Sequence, residues 1–171
     1  MDINRKRITV KLNKLLEQKL SHKIYAKEVT FDYGTKNIVR VDYMTFEPEN
    51  QMSVAGIERG VFTCYEVKSC KEDFKSGYGL NFIGDRNYLV MTMQTYKSII
   101  KEIPWNVGVY VAIPDLGSDR EVLMRQFENP SDFANDDFKW KLACMKHSHP
   151  CSREKSMIEV LFCMLRAAQR I

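Results

Sequence analysis

Two β-rich segments carry the residues whose types and spacing could do chemistry. In the segment 38–46, IVRVDYMTF, the acid Asp42 lies at mid-strand, and in the segment 61–68, VFTCYEVK, Glu66 and Lys68 lie two positions apart. That spacing puts Glu66 and Lys68 on one face of a strand, roughly 7 Å apart. Burying unpaired charges is costly, and a bound cation would offset the cost. Two carboxylates with several waters suit Mg²⁺, which also binds phosphate oxygens, so the pattern favours phosphate-ester chemistry.

These segments resemble the active-site region of the PD-(D/E)XK nucleases. FTCYEVKSCKEDF is similar to the E-x-K strand of that superfamily and to the short helix that follows it. VDYMTF is similar to the strand that carries the first Asp of the motif. More narrowly, EVKSCKEDF, NFIGDRNYLVM and IPWNVGVYV look like segments of small uncharacterised bacterial and phage proteins of the superfamily. The resemblance covers roughly the first two thirds of the chain.

The resemblance implies roles for individual residues. Asp42 and Glu66 would ligate one or two divalent cations, Mg²⁺ or Mn²⁺, together with the backbone carbonyl of Val67. Lys68 would orient the attacking water and stabilise the developing charge. Members of the superfamily often add a Glu from the first helix, and Glu17 is the only acid in the helix predicted here. The expected catalytic set is therefore Asp42, Glu66, Lys68 and Glu17.

The implied function is metal-dependent hydrolysis of DNA phosphodiester bonds, in phage or mobile-element DNA processing, repair or restriction. DNA is then the partner, and Lys71 and Lys75, on the short helix beside the site, are its expected contacts. Many enzymes of the superfamily cut duplex DNA as dimers, which makes a homodimer one expected arrangement. Two alternatives stay open: a catalytically inactive nuclease-like fold that binds DNA or protein, and ordinary cross-strand salt bridges.

Charge is unevenly spread along the chain. Residues 1–40 carry a net charge of +6, residues 115–137 a net charge of −5, and residues 138–171 a net charge of +5. The two basic segments could together hold a phosphate backbone, whose contacts dominate nucleic-acid affinity. Lysines solvated on helix faces explain the same charges equally well.

Periodicity predicts the elements that must position these residues. Apolar residues at helical spacing predict a helix over 8–20 that docks on a sheet. A hairpin of strands over 28–33 and 38–46 and a polar loop over 47–60 precede the strand 61–68. The later predicted elements are a helix over 70–76, a strand over 88–91, a helix over 94–103, a strand over 107–113 and a long helix over 152–171.

The order of these elements predicts an α/β fold of the α+β, mixed-sheet kind, with helices flanking the sheet and a C-terminal helix. By the resemblance, its centre is a restriction-endonuclease-like αβββαβ core. We expect a single domain over 1–171, with the core at about 8–113 and an extension over 114–171, in which the acidic stretch is an excursion.

Cysteine usage and hydropathy limit the other classes. The chain has no run of about 20 apolar residues, which predicts no membrane span. The five cysteines are odd in number and irregularly spaced, which indicates reduced thiols and a cytoplasmic protein. Zn²⁺ ligands could come from Cys144, His147, His149 and Cys151. Four ligands within eight residues leave little chain to form a cage, so a turn before the last helix is the favoured interpretation.

Overall fold

The computed structural model describes residues 3–50 and 53–169. Its helices are α1 (Ile3–Leu20), α2 (Val54–Glu58), α3 (Lys71–Lys75), α4 (Met93–Ile99), α5 (Asp119–Glu128) and α6 (Met157–Ala168). Its strands are β1 (Ile24–Phe31), β2 (Val39–Glu47), β3 (Val61–Lys68), β4 (Arg86–Thr92), β5 (Gly108–Pro114) and β6 (Trp140–Lys146). In that part of the chain, no helix combines the length and the apolarity that crossing a membrane requires.

The six strands form one mixed sheet in the order β1-β2-β3-β4-β5-β6. Strand β2 is antiparallel to both β1 and β3. Strands β3, β4 and β5 are parallel to one another, and β6 is antiparallel to β5. The crossovers between the parallel strands contain α3 and α4, as parallel pairing requires. The predicted class, a mixed sheet flanked by helices with a C-terminal helix, is confirmed.

Helix α1 packs on one face of the sheet. Its side chains Leu12, Leu16 and Leu20, spaced four residues apart, are almost completely buried against Tyr43 and Tyr65. Each such leucine stabilises the fold by roughly 2 kcal/mol. The docking of this helix on the sheet was predicted from its apolar stripe, although the helix begins at Ile3 and not at residue 8.

The opposite face carries the remaining long helices. Helix α6 packs Val160, Cys163 and Met164 against the β1–β3 half, and α4 and α5 pack against β4 and β5. The helices α1 and α6, one from each basic segment of the sequence, therefore lie on opposite faces of the sheet. The two helices do not form one positive surface.

The segment predicted as an acidic excursion contains two regular elements. Helix α5 buries only Val122 and Gln126, and the edge strand β6 is buried mainly over its first half. Neither has a long enough apolar repeat to stand out in the sequence. Because β6 adds the sixth strand and α6 covers β1, the segment 114–171 contributes directly to the sheet and its covering layer.

Other element boundaries also differ from the prediction. Ser53, which accepts a hydrogen bond from the Gly56 N–H, begins the short helix α2 inside the predicted loop. The C-terminal helix begins at Met157, later than predicted, because the Ser156 side chain caps the N–H of Glu159. Strand β1 ends at Phe31, where a turn starts, and α4 ends at Ile99.

Candidate functional site

Asp42 lies where β2 and β3 separate. The antiparallel ladder between them ends at the pair Tyr43 and Tyr65. One residue further, Oδ2 of Asp42 accepts a hydrogen bond of 2.9 Å from the N–H of Val67. The N–H and C=O of one residue point to the same side of an extended strand, so the Val67 carbonyl also faces β2. The side chain of Asp42 thus bridges the gap between the two strands.

Glu66 and Lys68 lie on the sheet face opposite α1. Their side chains are only 2% and 4% exposed. With Asp42 they line a recess of about 410 Å³, which we call the carboxylate pocket. Oε1 of Glu66 is buried there and has no hydrogen-bond partner among the described residues. The structure thus brings Asp42, Glu66 and Lys68 together in one recess, and their role as an active site stays a prediction.

Burial sets the protonation of the two acids. Burial, and after it the negative charge of Asp42, raise the pKa of Glu66 to about 9 against the opposing effect of Lys68. Burial also raises the pKa of Asp42, which the Val67 hydrogen bond and the Lys68 charge partly offset. Two neighbouring buried carboxyls resist full ionisation. Near neutral pH the pair therefore holds a proton, which a bound cation could replace.

The loop 77–81 closes one side of the carboxylate pocket. Lys68 Nζ donates a hydrogen bond to the carbonyl oxygen of Tyr78. Gly79 has φ +71°, and a Cβ there would lie 2.7 Å from Glu66 Oε2 and 3.3 Å from Lys68 Nζ. Only glycine leaves room for both charged groups. Gly77 and Gly79 follow directly after the predicted helix over 70–76, and their close spacing after E-x-K was the available signal in the sequence.

Asp73 also lines the carboxylate pocket but already has partners. Oδ2 accepts hydrogen bonds of 3.1 Å from both the N–H and the hydroxyl of Ser69. Oδ1 pairs with Arg5 Nη2 at 3.1 Å. This contact joins the first turns of α1 to α3, so Asp73 fixes the wall of the pocket.

Glu17, expected in the catalytic set, lies elsewhere. It is on α1, where Oε1 accepts a hydrogen bond of 2.8 Å from the Tyr43 hydroxyl and pairs with Lys27 Nζ at 2.7 Å. It does not line the carboxylate pocket. Docking of α1 on the face opposite Glu66 separates the two acids, so we leave Glu17 out of the proposed site.

Lys71 and Lys75, the expected DNA contacts, lie on α3 outside the lining of the carboxylate pocket. Lys75 Nζ lies 3.8 Å from a carboxylate oxygen of Glu102, in an exposed ion pair. Such a pair contributes little to stability, and Lys75 can exchange it for a phosphate.

The cysteines and histidines near the C-terminus are dispersed. Cys144 Sγ lies 3.6 Å from His147 Nδ1, whereas Cys151 Sγ accepts a hydrogen bond of 3.2 Å from the amide of Asn106. In the described ranges, no group of three or more His, Cys, Asp or Glu side chains is placed to hold a metal ion. All five cysteines are free thiols.

The carboxylate pocket nevertheless fits a hard divalent cation. It offers oxygen from Asp42 and Glu66, with the Val67 carbonyl facing the same gap. One buried carboxylate oxygen has no partner among the described residues. Mg²⁺ commonly binds through one or two carboxylates and keeps several waters, so two acids are enough. A Cys- and His-poor donor set of this kind does not suit Zn²⁺.

Comparison with known proteins adds information on the fold alone. No protein-family model and no curated protein sequence matches the chain. A solved structure from Silicibacter pomeroyi, a protein of unknown function, is similar with a TM-score of 0.54 and 15% sequence identity. The match covers 99% of this chain and 90% of that one. A second protein of very different sequence therefore has a similar fold.

Proposed function

We propose that the protein is a nuclease that hydrolyses DNA phosphodiester bonds with the help of Mg²⁺ or Mn²⁺. The observation that carries the proposal is the carboxylate pocket, where Asp42, Glu66 and Lys68 meet and one buried oxygen of Glu66 lacks a partner. A buried acid pair without a cation is costly, whereas two hard oxygen donors beside a lysine match the needs of phosphate-ester cleavage.

Each residue of the pocket has a distinct task in this proposal. Asp42 and Glu66 would hold the cation, and the Val67 N–H keeps the Asp42 carboxylate in place. When bound, the cation would lower the pKa of a coordinated water and neutralise phosphate charge. Lys68, held by the Tyr78 carbonyl, would place a fixed positive charge beside the scissile phosphate.

The surroundings of the pocket complete the proposal. Arg40 and Asn81 line its mouth and can contact phosphate oxygens. Lys71 and Lys75 remain proposed contacts to DNA further along α3. The free thiols and the lack of a membrane-spanning helix among the described residues support a cytoplasmic setting for this activity.

The test is cleavage of single-stranded, duplex and branched DNA by the purified protein with Mg²⁺ or Mn²⁺. Lys68→Ala should reduce turnover by a factor on the order of 100 or more and leave DNA affinity nearly unchanged, because one lysine is a small part of a multi-phosphate surface. Asp42→Asn and Glu66→Gln should abolish metal-dependent cleavage.

Matched controls are the exposed residues Glu121 and Lys101, both outside the carboxylate pocket. Glu121→Gln and Lys101→Ala should cleave like the parent protein. Tight DNA binding without any cleavage would instead support an inactive nuclease-like fold that acts as a binding module. Equal cleavage by Lys68→Ala and the parent, in preparations free of contaminating nuclease, would refute the assignment of catalysis to this pocket.

A further inference from the structure

A second, larger recess lies between α1 and the segment that leads into β6. We call it the α1 groove, and its volume is about 1250 Å³. Cations dominate its charged lining, which consists of Lys6, Arg7, Lys11, Lys14, Lys139 and a single acid, Asp136. A recess with this charge imbalance attracts anions.

Asp136 neutralises only part of this charge. It forms ion pairs with Arg7 at 2.5 Å and with Lys11 at 2.9 Å. Lys6, Lys14 and Lys139 are exposed and have no salt-bridge partner in the part of the chain that the structure describes. Three cations without a salt bridge along one groove favour a ligand with several anionic groups over a single small anion.

Apolar and aromatic side chains form the rest of the α1 groove. Val10 is 59% exposed at its edge, and Phe138 lies partly buried in its wall beside Trp140. Phosphates can contact the lysines while unpaired bases contact this apolar surface. The bases of duplex DNA are stacked on one another, so their faces cannot contact the protein. A single strand can contact the lysines with its phosphates and the apolar side chains with its bases.

A smaller recess of about 470 Å³ shares lining residues with both the α1 groove and the carboxylate pocket. It has Thr9 in common with the α1 groove. The same recess shares Asp42, Val67 and Asp73 with the carboxylate pocket. Arg5 lines this connection and is held there by Asp73. Shared lining residues thus connect the α1 groove, through the smaller recess, to Asp42 in the carboxylate pocket.

We infer that the α1 groove binds single-stranded nucleic acid and guides the strand to the carboxylate pocket. The inference rests on the proposed function at one point only, which is the cleavage of the bound strand at the carboxylate pocket. The preferred substrate is then a single strand or a single-stranded tail, with phosphates on Lys6, Lys14 and Lys139 and bases toward Phe138.

The test measures binding without cleavage, with EDTA present, by the fluorescence anisotropy of a labelled oligothymidylate of about 20 nucleotides. The triple variant Lys6→Ala/Lys14→Ala/Lys139→Ala should bind about tenfold more weakly or worse. Its plot of log affinity against log salt should be shallower by about 2, because each single-strand phosphate contributes about 0.7. Thermal denaturation verifies that the variant is folded.

The matched control removes the same charge elsewhere, in Lys97→Ala/Lys101→Ala/Arg120→Ala, three exposed positions outside all three recesses. This variant should bind the oligonucleotide like the parent. Equal losses in both triple variants would show that only net charge matters and would overturn the inference.

The affinities of further ligands show which class of molecule the α1 groove binds. An abasic strand and a duplex of the same length should both bind the parent more weakly than oligothymidylate, whereas oligouridylate tests whether RNA serves as well as DNA. Binding of either kind of single strand supports the inference. Equal affinity for the abasic strand, for the duplex or for an acidic peptide would overturn it. Cleavage is measured separately, so loss of groove binding and loss of catalysis are distinguishable.

Discussion

Glu66 carries an ionisable carboxyl group in the interior of the protein, where burial disfavours its charged form. Its side chain is 2% exposed, Asp42 is its charged neighbour, and one of its oxygens lacks a partner among the described residues. Burial moves its pKa from the usual 4.5 to about 9. Acids with strongly shifted pKa values are common at functional sites, although burying them lowers the stability of the fold. The consequence for the protein without metal is a measurable dependence of stability on pH.

Between about pH 4.5 and pH 9 the folded protein holds a proton on Glu66 that the unfolded chain has released. The free energy of unfolding therefore falls as pH rises through this window, by at most about 1.4 kcal/mol per pH unit. Glu66→Gln should remove the part of this slope that Glu66 contributes and be at least as stable as the parent near pH 8. Urea denaturation in EDTA at several pH values measures the free energy of unfolding and hence the slope. The control Glu121→Gln should keep the slope, and an unchanged slope in Glu66→Gln would contradict the assigned pKa.

At the scale of elements, strand alternation and a glycine-containing loop build the carboxylate pocket. Alternation along β3 puts Glu66 and Lys68 on one face, and this could be predicted from the sequence because it depends on neighbouring residues only. The contribution of the loop 77–81 to the pocket could not be predicted, because Gly79 lies beside Glu66 only after α3 and β4 have folded. Glu17 illustrates the same limit, since its contact with Tyr43 depends on how α1 docks.

Two glycines of this loop provide a matched pair of variants. Gly77 and Gly79 have nearly the same backbone, with φ +72° and φ +71°, but a Cβ on Gly77 would meet nothing within 4 Å. Gly77→Ala should cost about 1 kcal/mol of backbone strain. Gly79→Ala should cost that amount and also displace Glu66, weakening the metal-induced rise in melting temperature. Thermal denaturation with and without Mn²⁺ compares them. Equal behaviour of the two variants would show that Gly79 does not shape the pocket.

At the scale of the whole molecule, the predicted mixed sheet and flanking helices are confirmed, and the errors have a common cause. Local periodicity revealed α1, β2 and β3, whose buried faces are long. It missed β6, an edge strand that pairs with β5 across the intervening residues 115–139. The same long-range assembly forms the α1 groove, because its walls come from residues 6–18 and 136–140, which lie far apart in the sequence.

The central claim is that Asp42 and Glu66 hold a divalent cation in one folded pocket. The most direct measurement is a titration with Mn²⁺ followed by electron paramagnetic resonance, in which bound Mn²⁺ loses the signal of the free ion. The parent protein should bind Mn²⁺ more tightly as pH rises, because the cation displaces the proton held by the acid pair. Asp42→Asn should lose this binding and Glu121→Gln should keep it. Equal Mn²⁺ binding by Asp42→Asn and the parent, or no binding by either, would contradict the account.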